Sequence, residues 1–375
     1  MVNIFALDNI NGSNGLIING IASGDRLGYS VSNAGDVNGD GIEDIIVGAP
    51  EKLYDEALYN DYFGEGKSYV IFGRREIDED KSVDLDKLDG SNGFVINGIE
   101  LGDGSGFSVS SAGDFNGDGI NDLIIGAPNK YEFDSESGES YLVFGGTEIG
   151  SDGSIELSSL NGSNGFVIDG INVGDRVGFS VSEVGDINND GFSDVIIGAP
   201  YADPDGVDRA GESYVIFGGN SVAPEGSLAL SSLDGVNGFI LESDSNYDYN
   251  GYAVSSAGDV NGDGIDDIII GAPGSPYSYE YASNGKSYII FGSSNLGSNG
   301  VVRLDALDGS NGFVINGIAE DDRVGSSVSS AGDFNDDGID DLLIGAPLAA
   351  PNGNDAAGES YVVFGNSAPE IDLNG

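Results

Sequence analysis

The chain has no cysteine, no histidine and no tryptophan, and only 13 lysines and arginines against 64 aspartates and glutamates. Each shortage closes off a class of chemistry. Without cysteine there is no disulfide framework, no thiolate zinc site and no thiol nucleophile. Without histidine the usual general base and transition-metal ligand are missing, so an enzyme would need carboxylates, tyrosines or a metal held by oxygen. A formal charge of −51 repels nucleic acid and anionic lipid and favours cations or cationic partners. No apolar run reaches the roughly 18 residues needed to span a bilayer, so no membrane insertion is expected. The first eight residues, Met-Val-Asn-Ile-Phe-Ala-Leu-Asp, offer neither a basic n-region nor an apolar h-region, so they are not a secretion signal. The expectation is an extracellular or cell-surface domain of a larger protein, where salt screens the acidity.

What is present is a repeat. The string D-x-N-x-D-G-x-x-D occurs five times, beginning at Asp36, Asp114, Asp186, Asp259 and Asp333, so the starts lie 78, 72, 73 and 74 residues apart. Each copy runs into an apolar stretch ending in Gly-Ala-Pro. With 39% hydrophobic residues and 63 glycines the chain can bury a core despite its charge. A fixed period longer than one hairpin marks a repeat fold. The chain reads as one domain over residues 1–375, with repeats at roughly 21–98, 99–170, 171–242, 243–317 and 318–375 plus 1–20.

The third repeat shows the elements. Gly165-Phe-Val-Ile-Asp-Gly170 is a β-branched and aromatic run bounded by glycines, and Gly178-Phe-Ser-Val-Ser182 alternates at period two. Asp194-Val-Ile-Ile-Gly-Ala-Pro200 reads as a strand buried on both faces, stopped by a proline that cannot donate to a ladder. Glu212-Ser-Tyr-Val-Ile-Phe217 alternates again. No segment holds a 3.6-residue period, so the protein is all β, and four short strands per repeat predict a five-bladed β-propeller with antiparallel blades. An outer-type strand, residues 15–20, precedes the first inner strand, while none follows 359–364. The expectation is that these two segments pair and close the ring, removing two exposed edges. A fragment of a longer propeller is the other reading.

The acidic loops read as calcium sites. Alternate positions of a tight turn point oxygens into one concavity, glycine at position 6 allows the reversal, and the carbonyl at position 7 and carboxylate at 9 complete the shell. The expected ligands are Asp36, Asn38, Asp40, Ile42 and Asp44 in the first loop, and Asp114, Asn116, Asp118, Ile120 and Asp122 in the second. They continue as Asp186, Asn188, Asp190, Phe192 and Asp194; Asp259, Asn261, Asp263, Ile265 and Asp267; and Asp333, Asn335, Asp337, Ile339 and Asp341. That makes about five calcium ions per chain. Position 12 holds Val47, Ile125, Ile197, Ile270 or Ile344 instead of the bidentate Glu of an EF-hand, and a strand follows instead of a helix. A bare hairpin turn would not demand three acids in every copy. Left without a cation, such acids repel by on the order of a kcal/mol per close pair.

The run G-x-S-V-S-x-A-G-D-x-N-x-D-G-x-x-D-x-x-x-G-A-P resembles the FG-GAP repeat of the integrin α-chain propeller over essentially the whole chain. The resemblance implies a β-propeller with calcium in the loops joining the first and second strands of each blade, on its lower face. It also implies an adhesion or ligand-binding module and no enzyme. Two departures stand out: five units against the family's seven blades, and glycines Gly28, Gly106, Gly178, Gly251 and Gly325 that follow Leu, Ser, Val, Asn and Val instead of phenylalanine.

Other features recur or vary. An acid stands eleven residues before each loop, at Asp25, Asp103, Asp175, Asp248 and Asp322, followed in three repeats by Arg26, Arg176 or Arg323. It reads as a turn cap with a neighbouring ion pair, or as a charged ring at the channel mouth. Tyr69, Tyr141, Tyr214, Tyr288 and Tyr361 read as packing between blades. The segments after Gly-Ala-Pro, residues 51–64, 129–137, 201–210, 274–284 and 348–357, differ in length and sequence, and several are aromatic: Tyr54, Tyr59, Tyr62 and Phe63; Tyr131 and Phe133; Tyr277, Tyr279 and Tyr281. On the face opposite the acidic loops they could bind a protein or glycan ligand, or simply hold the loops down. A lectin-like propeller and a structural spacer in a large surface protein remain alternatives. No acid pair stands outside the repeat to suggest a glycosidase.

Overall fold

Short β-branched runs closed off by glycine and proline become strands at the expected places. The computed structural model describes residues 6–55, 60–75, 82–128, 137–275 and 283–366, with the backbone alone for 53–55 and 60–62. The first blade is built from Ser30–Gly35, Asp44–Ala49, Lys67–Ile71 and Gly93–Asn97, hydrogen-bonded in that order and antiparallel throughout. The second (Ser108–Gly113, Asp122–Ala127, Glu139–Val143, Gly165–Asp169), the third (Ser180–Gly185, Asp194–Ala199, Glu212–Ile216, Gly238–Glu242) and the fourth (Ala253–Gly258, Asp267–Ala272, Lys286–Ile290, Gly312–Asn316) repeat it. The fifth consists, among the described residues, of Ser327–Gly332, Asp341–Ala346 and Glu359–Val363. The chain is an all-β, five-bladed propeller fold whose only helical elements, among the described residues, are single 3₁₀ turns.

Among the described residues, three blades carry a fifth strand that the sequence pattern hid. Ser154–Glu156, Ser227–Ala229 and Val301–Arg303 add in parallel to the outer edges of the first, second and third blades. Each comes from the linker leading into the next blade's outer strand and is only three residues long, too short to show a period.

The N-terminal strand differs from expectation. Ile17–Ile18 pairs in parallel with Ser82–Val83, and no pairing joins 15–20 to 359–364 among the described residues. The register is that of the linker strands elsewhere. Val95 faces Ser154 and Ile96 faces Ile155 at the edge of the first blade; Ile17 faces Ser82 and Ile18 faces Val83 in the same way. Ile17–Ile18 therefore stands to Ser82–Val83 as each internal outer strand stands to the linker strand that follows it.

Burial is concentrated between blades. Side chains alternate along each strand, so one set points to the preceding blade and the other to the next. Ile46, Val70, Phe94 and Ile96 of the first blade pack with Val109, Leu123, Ile125 and Tyr141 of the second. The same assignment repeats at the second-to-third, third-to-fourth and fourth-to-fifth junctions. Each fully buried Phe or Ile contributes about 1.5–3 kcal/mol relative to an exposed one.

Glycine sets how close the blades come. A Cβ on Gly48, Gly126, Gly198 or Gly271, the glycine of Gly-Ala-Pro, would lie 2.1, 2.1, 2.0 or 2.0 Å from the carbonyl oxygen of Gly106, Gly178, Gly251 or Gly325 in the next blade. The second glycine of each pair has a positive φ of 83–88°, which side chains disfavour. Gly198→Ala should therefore destabilise the protein by about 2 kcal/mol or more. Gly146→Ala, where a Cβ meets nothing within 4 Å, should be close to neutral. Urea denaturation of the two variants checks the contrast, and equal midpoints would refute it.

Candidate metal loops and an aromatic rim

Every acidic loop joins the first and second strands of its blade, as expected. A β-bulge precedes it: Asn33 faces Ile45 and Gly35 faces Asp44, so Ala34 is skipped and the strand end turns inward. The loop then folds around its own acids. Asp36 accepts from the backbone N–H of Asp40 (3.0 Å) and Gly41 (2.7 Å), Asn38 from Asp40 (2.9 Å), and Asp40 from Ile42 (2.9 Å). The third loop repeats all four bonds, with Asp186, Asn188 and Asp190 as acceptors.

The acid at position 9 plays a different part. Asp44, Asp122, Asp194, Asp267 and Asp341 are buried, at most 1% exposed. Asp194 accepts from Ile187 N–H (3.1 Å) and from Gly218 N–H (2.9 Å) in the strand-end turn of the same blade. Asp44, Asp267 and Asp341 make the same two bonds. Burial pushes Asp122, Asp194 and Asp267 up to about 8 and Asp44 to about 6, against the pull of those backbone donors; neighbouring loop acids push the same way. These side chains hold the loop to the blade.

Among the described residues, no three acidic side chains converge as ligands of a metal would. The loop carboxylates face backbone N–H groups instead, and Asn188 turns its amide towards Asp190 (2.8 Å). The donor set still suits a hard cation, since it is all oxygen and mostly carboxylate. In the second loop Gly119 occupies one oxygen of Asp114 (3.0 Å), while the other is buried and accepts no hydrogen bond. A buried carboxylate oxygen without a donor is costly, and a cation is its natural complement.

In four blades the acid before the first strand caps a turn, whereas Asp248 of the fourth blade accepts from the Ser243 hydroxyl (2.8 Å) and pairs with Lys286. Asp25 accepts from Ile21 and Ala22, Asp103 from Glu100, Asp175 from Asn172 and Asp322 from Ala319, all at 2.6–3.2 Å. Arg26, Arg176 and Arg323 adopt positive φ of 54–59° at the following residue. Arg176 stacks on Tyr201, 4.5 Å from its ring centre. The recurring tyrosines lie in the interblade packing, and in several blades the hydroxyl reaches an acid: Tyr141 donates to Glu139 (2.7 Å), Tyr214 to Glu212, and Tyr288 to Asp248 (2.5 Å).

One feature escaped the sequence reading. Tyr29, Phe107, Phe179 and Tyr252 immediately follow the glycines at 28, 106, 178 and 251 and pack in series, with centroids 4.8, 5.2 and 5.0 Å apart. They stand where the first strands begin, at the end opposite the acidic loops. Phe63 and Tyr201, from two variable loops, extend the row at 6.0 and 6.2 Å. The signal was legible one residue after each glycine, whereas attention to the family motif fell on the residue before it. Residues 129–136 and 276–282, with Tyr131, Phe133, Tyr277, Tyr279 and Tyr281, lie outside the described residues, as do the side chains of Tyr54, Tyr59 and Tyr62.

Blades of antiparallel strands with an acidic loop at one end and variable loops at the other define a repeat propeller that presents two distinct faces. Residues 27–71, 105–143, 180–216, 250–290 and 324–363, together more than half of the chain, match the FG-GAP repeat. The chain belongs to the FG-GAP repeat family. It is similar to Integrin alpha-PS2 of Drosophila melanogaster (27% identical over 74% of this chain and 17% of the relative). It is also similar to Integrin alpha pat-2 of Caenorhabditis elegans (30%, over 66% and 18%) and Integrin alpha-V of Gallus gallus (28%, over 66% and 20%). The matched region spans a fifth or less of the length of these relatives.

The upper face carries one further electrostatic contrast. Burial pushes Glu212 up to about 7, with Asp175, Glu242 and Asp205 adding to it, and Asp175 itself to about 6. In the fourth blade Lys286 takes the place of Glu212 and forms an ion pair with Asp248 at 2.9 Å. A carboxyl raised on folding stabilises the protein below its unfolded pKa, and the contribution is lost as pH rises through about 7. Glu212→Gln should reduce the stability difference between about pH 5 and about pH 8 by on the order of 1 kcal/mol relative to the parent chain. Parallel urea melts at the two pH values measure it, and an unchanged difference would count against the assignment.

Proposed function

We propose that this chain is a calcium-stabilised, extracellular ligand-binding module of the kind used in cell adhesion, and not an enzyme. The observation that carries the reading is the fivefold acidic loop, which brings four oxygen-bearing side chains within nine residues of sequence in every blade and, in the second, leaves an Asp114 oxygen buried without a donor. In each loop the residues at positions 1, 3, 5, 7 and 9, from Asp36 to Asp44 in the first and from Asp333 to Asp341 in the last, would hold the ion. Calcium would neutralise charge that the loop backbone only partly compensates, and would pin the hairpin between the first two strands. The similarity to integrin alpha chains supports a place outside the cell within a larger protein. The aromatic row and the variable loops on the opposite face support a protein ligand there.

Calorimetric titration of chelator-stripped protein with calcium should give about five ions per chain. Asp186→Ala should reduce that count by one. A ligand present at a hundred times its Kd adds about 2.7 kcal/mol per site, so chelation should lower the melting temperature markedly. No calcium binding, together with a melt that chelator leaves unmoved, would refute the reading.

A further inference from the structure

The second residue of the third strand is a fully buried serine in each of the first four blades: Ser68, Ser140, Ser213 and Ser287. At three junctions this hydroxyl is turned to the next blade. A Cβ on Gly106, Gly178 or Gly251 would lie 2.9, 2.8 or 2.9 Å from the Oγ of Ser68, Ser140 or Ser213. Between the third and fourth blades the serine is answered by Asn250, which is also fully buried. Asn250 Oδ1 accepts from the Ser213 hydroxyl (3.2 Å), and Nδ2 donates to the carbonyls of Leu241 (2.9 Å) and Gly211 (3.3 Å). One carboxamide thus supplies an acceptor and two donors where solvent does not reach.

Between the first and second blades Ser105 takes the place of Asn250. The backbone is held alike: Ser105 N–H donates to Glu65 O (3.1 Å), as Asn250 N–H does to Ala210 O (2.9 Å). A Cβ on Gly66 would lie 2.4 Å from Ser105 N, and one on Gly211 2.5 Å from Asn250 N. Ser68 faces Ile96 as Ser213 faces Leu241, so the Gly66 and Ile96 carbonyls correspond to those of Gly211 and Leu241. Ser105 is 1% exposed, and neither its hydroxyl nor that of Ser68 has a hydrogen-bond partner within the protein. Asparagine exceeds serine by about 30 Å³, the share of one water in the liquid. Val177 and Val324 fill the same place at the second-to-third and fourth-to-fifth junctions, where a methyl group offers a water nothing.

We propose that the junction of the first and second blades binds one structural water molecule among Ser68, Ser105, Gly66 and Ile96. Its two hydrogens go to the two carbonyls, as those of Asn250 Nδ2 do, and its oxygen accepts from the two serine hydroxyls. Water matches this pattern of two donors and two acceptors with nothing left over, and it takes over the carboxamide's task of tying one blade to the next. Burying two unpaired hydroxyls side by side would forfeit their hydration without return, so the water is held by the groups it satisfies. A monovalent cation would also be all-oxygen in its contacts, but it cannot donate to a carbonyl as the Asn250 amide does.

High-resolution crystallography of the unmodified chain and of Ser105→Asn tests this directly. The unmodified chain should show an ordered density peak at roughly 2.7–3.2 Å from Ser68 Oγ, Ser105 Oγ and the Ile96 carbonyl. In Ser105→Asn the peak should disappear, with the new carboxamide accepting from Ser68 as Asn250 does from Ser213. Its urea midpoint should stay level or rise, because an ordered water is released while its hydrogen bonds are reproduced. No peak in the unmodified chain would overturn the inference, whether or not the variant folds. So would a peak that persists in the variant, or a variant midpoint below that of the unmodified chain. An anomalous signal at the peak in crystals grown with rubidium chloride would overturn it in favour of a monovalent cation.

Discussion

Everything in this fold depends on two backbones passing too close for a side chain. The glycine of Gly-Ala-Pro in one blade sits against the carbonyl of a glycine in the next, leaving about 2 Å for any Cβ. That spacing fixes the distance between sheets at the strand ends nearest the variable loops. It brings the apolar sets on facing strands into contact and aligns the first strands side by side. The aromatic row follows from it, because each ring is attached to the residue directly after the second glycine, and successive centroids fall about 5 Å apart. A larger residue at either glycine would separate the rings as well as the sheets.

At the opposite end, chain direction is reversed by loops that contain more acid than a turn requires. Two jobs are divided among those acids. Position 9 is buried and ties the loop to its blade through two backbone donors. Positions 1, 3 and 5 shape the loop by accepting its N–H groups. Backbone dipoles compensate a carboxylate only in part, which is why burial still drives Asp122, Asp194 and Asp267 upward. The remaining negative charge is what a bound cation would neutralise, and the same loop recurs in all five blades.

The strands, their order within a blade, the acidic loops and the interblade tyrosines were legible because each has a short-range cause: period-two alternation, a proline stop, or a glycine at a reversal. The features that were missed are set by register or by partners far along the chain. Ser154–Glu156 is too short to show alternation and pairs across 59 residues, from Ser154 to Val95. The pairing of Ile17–Ile18 with Ser82–Val83 depends on a linker strand of only two residues. Phe107 and Phe179 each occupy a strand-entry position that reads locally as ordinary β-sequence, and only the alignment of blades makes them neighbours. The loop acids were legible as a recurring set, but not that position 9 is the buried one. That follows from its place at the first residue of the second strand, opposite Gly35 in the first blade.

A repeat fold of this kind is close to one-dimensional: each blade is completed by its neighbours, and the outer strand of a blade is carried into place by the start of the next repeat. The N-terminal segment partly covers the first blade, since Ile18, Leu27 and Val83 pack against Ala49, Tyr69 and Leu85. That cover does not reach Val31 or Ile45, and among the described residues Leu343, Val362 and Phe334 are exposed. On a chain with a formal charge of −51, long-range repulsion opposes the compact state, while apolar burial between blades favours it at short range. Calcium in the loops would act on the first of these terms by lowering the net charge. The acidic loops and the blade junctions, though built from different residues, therefore bear on the same equilibrium.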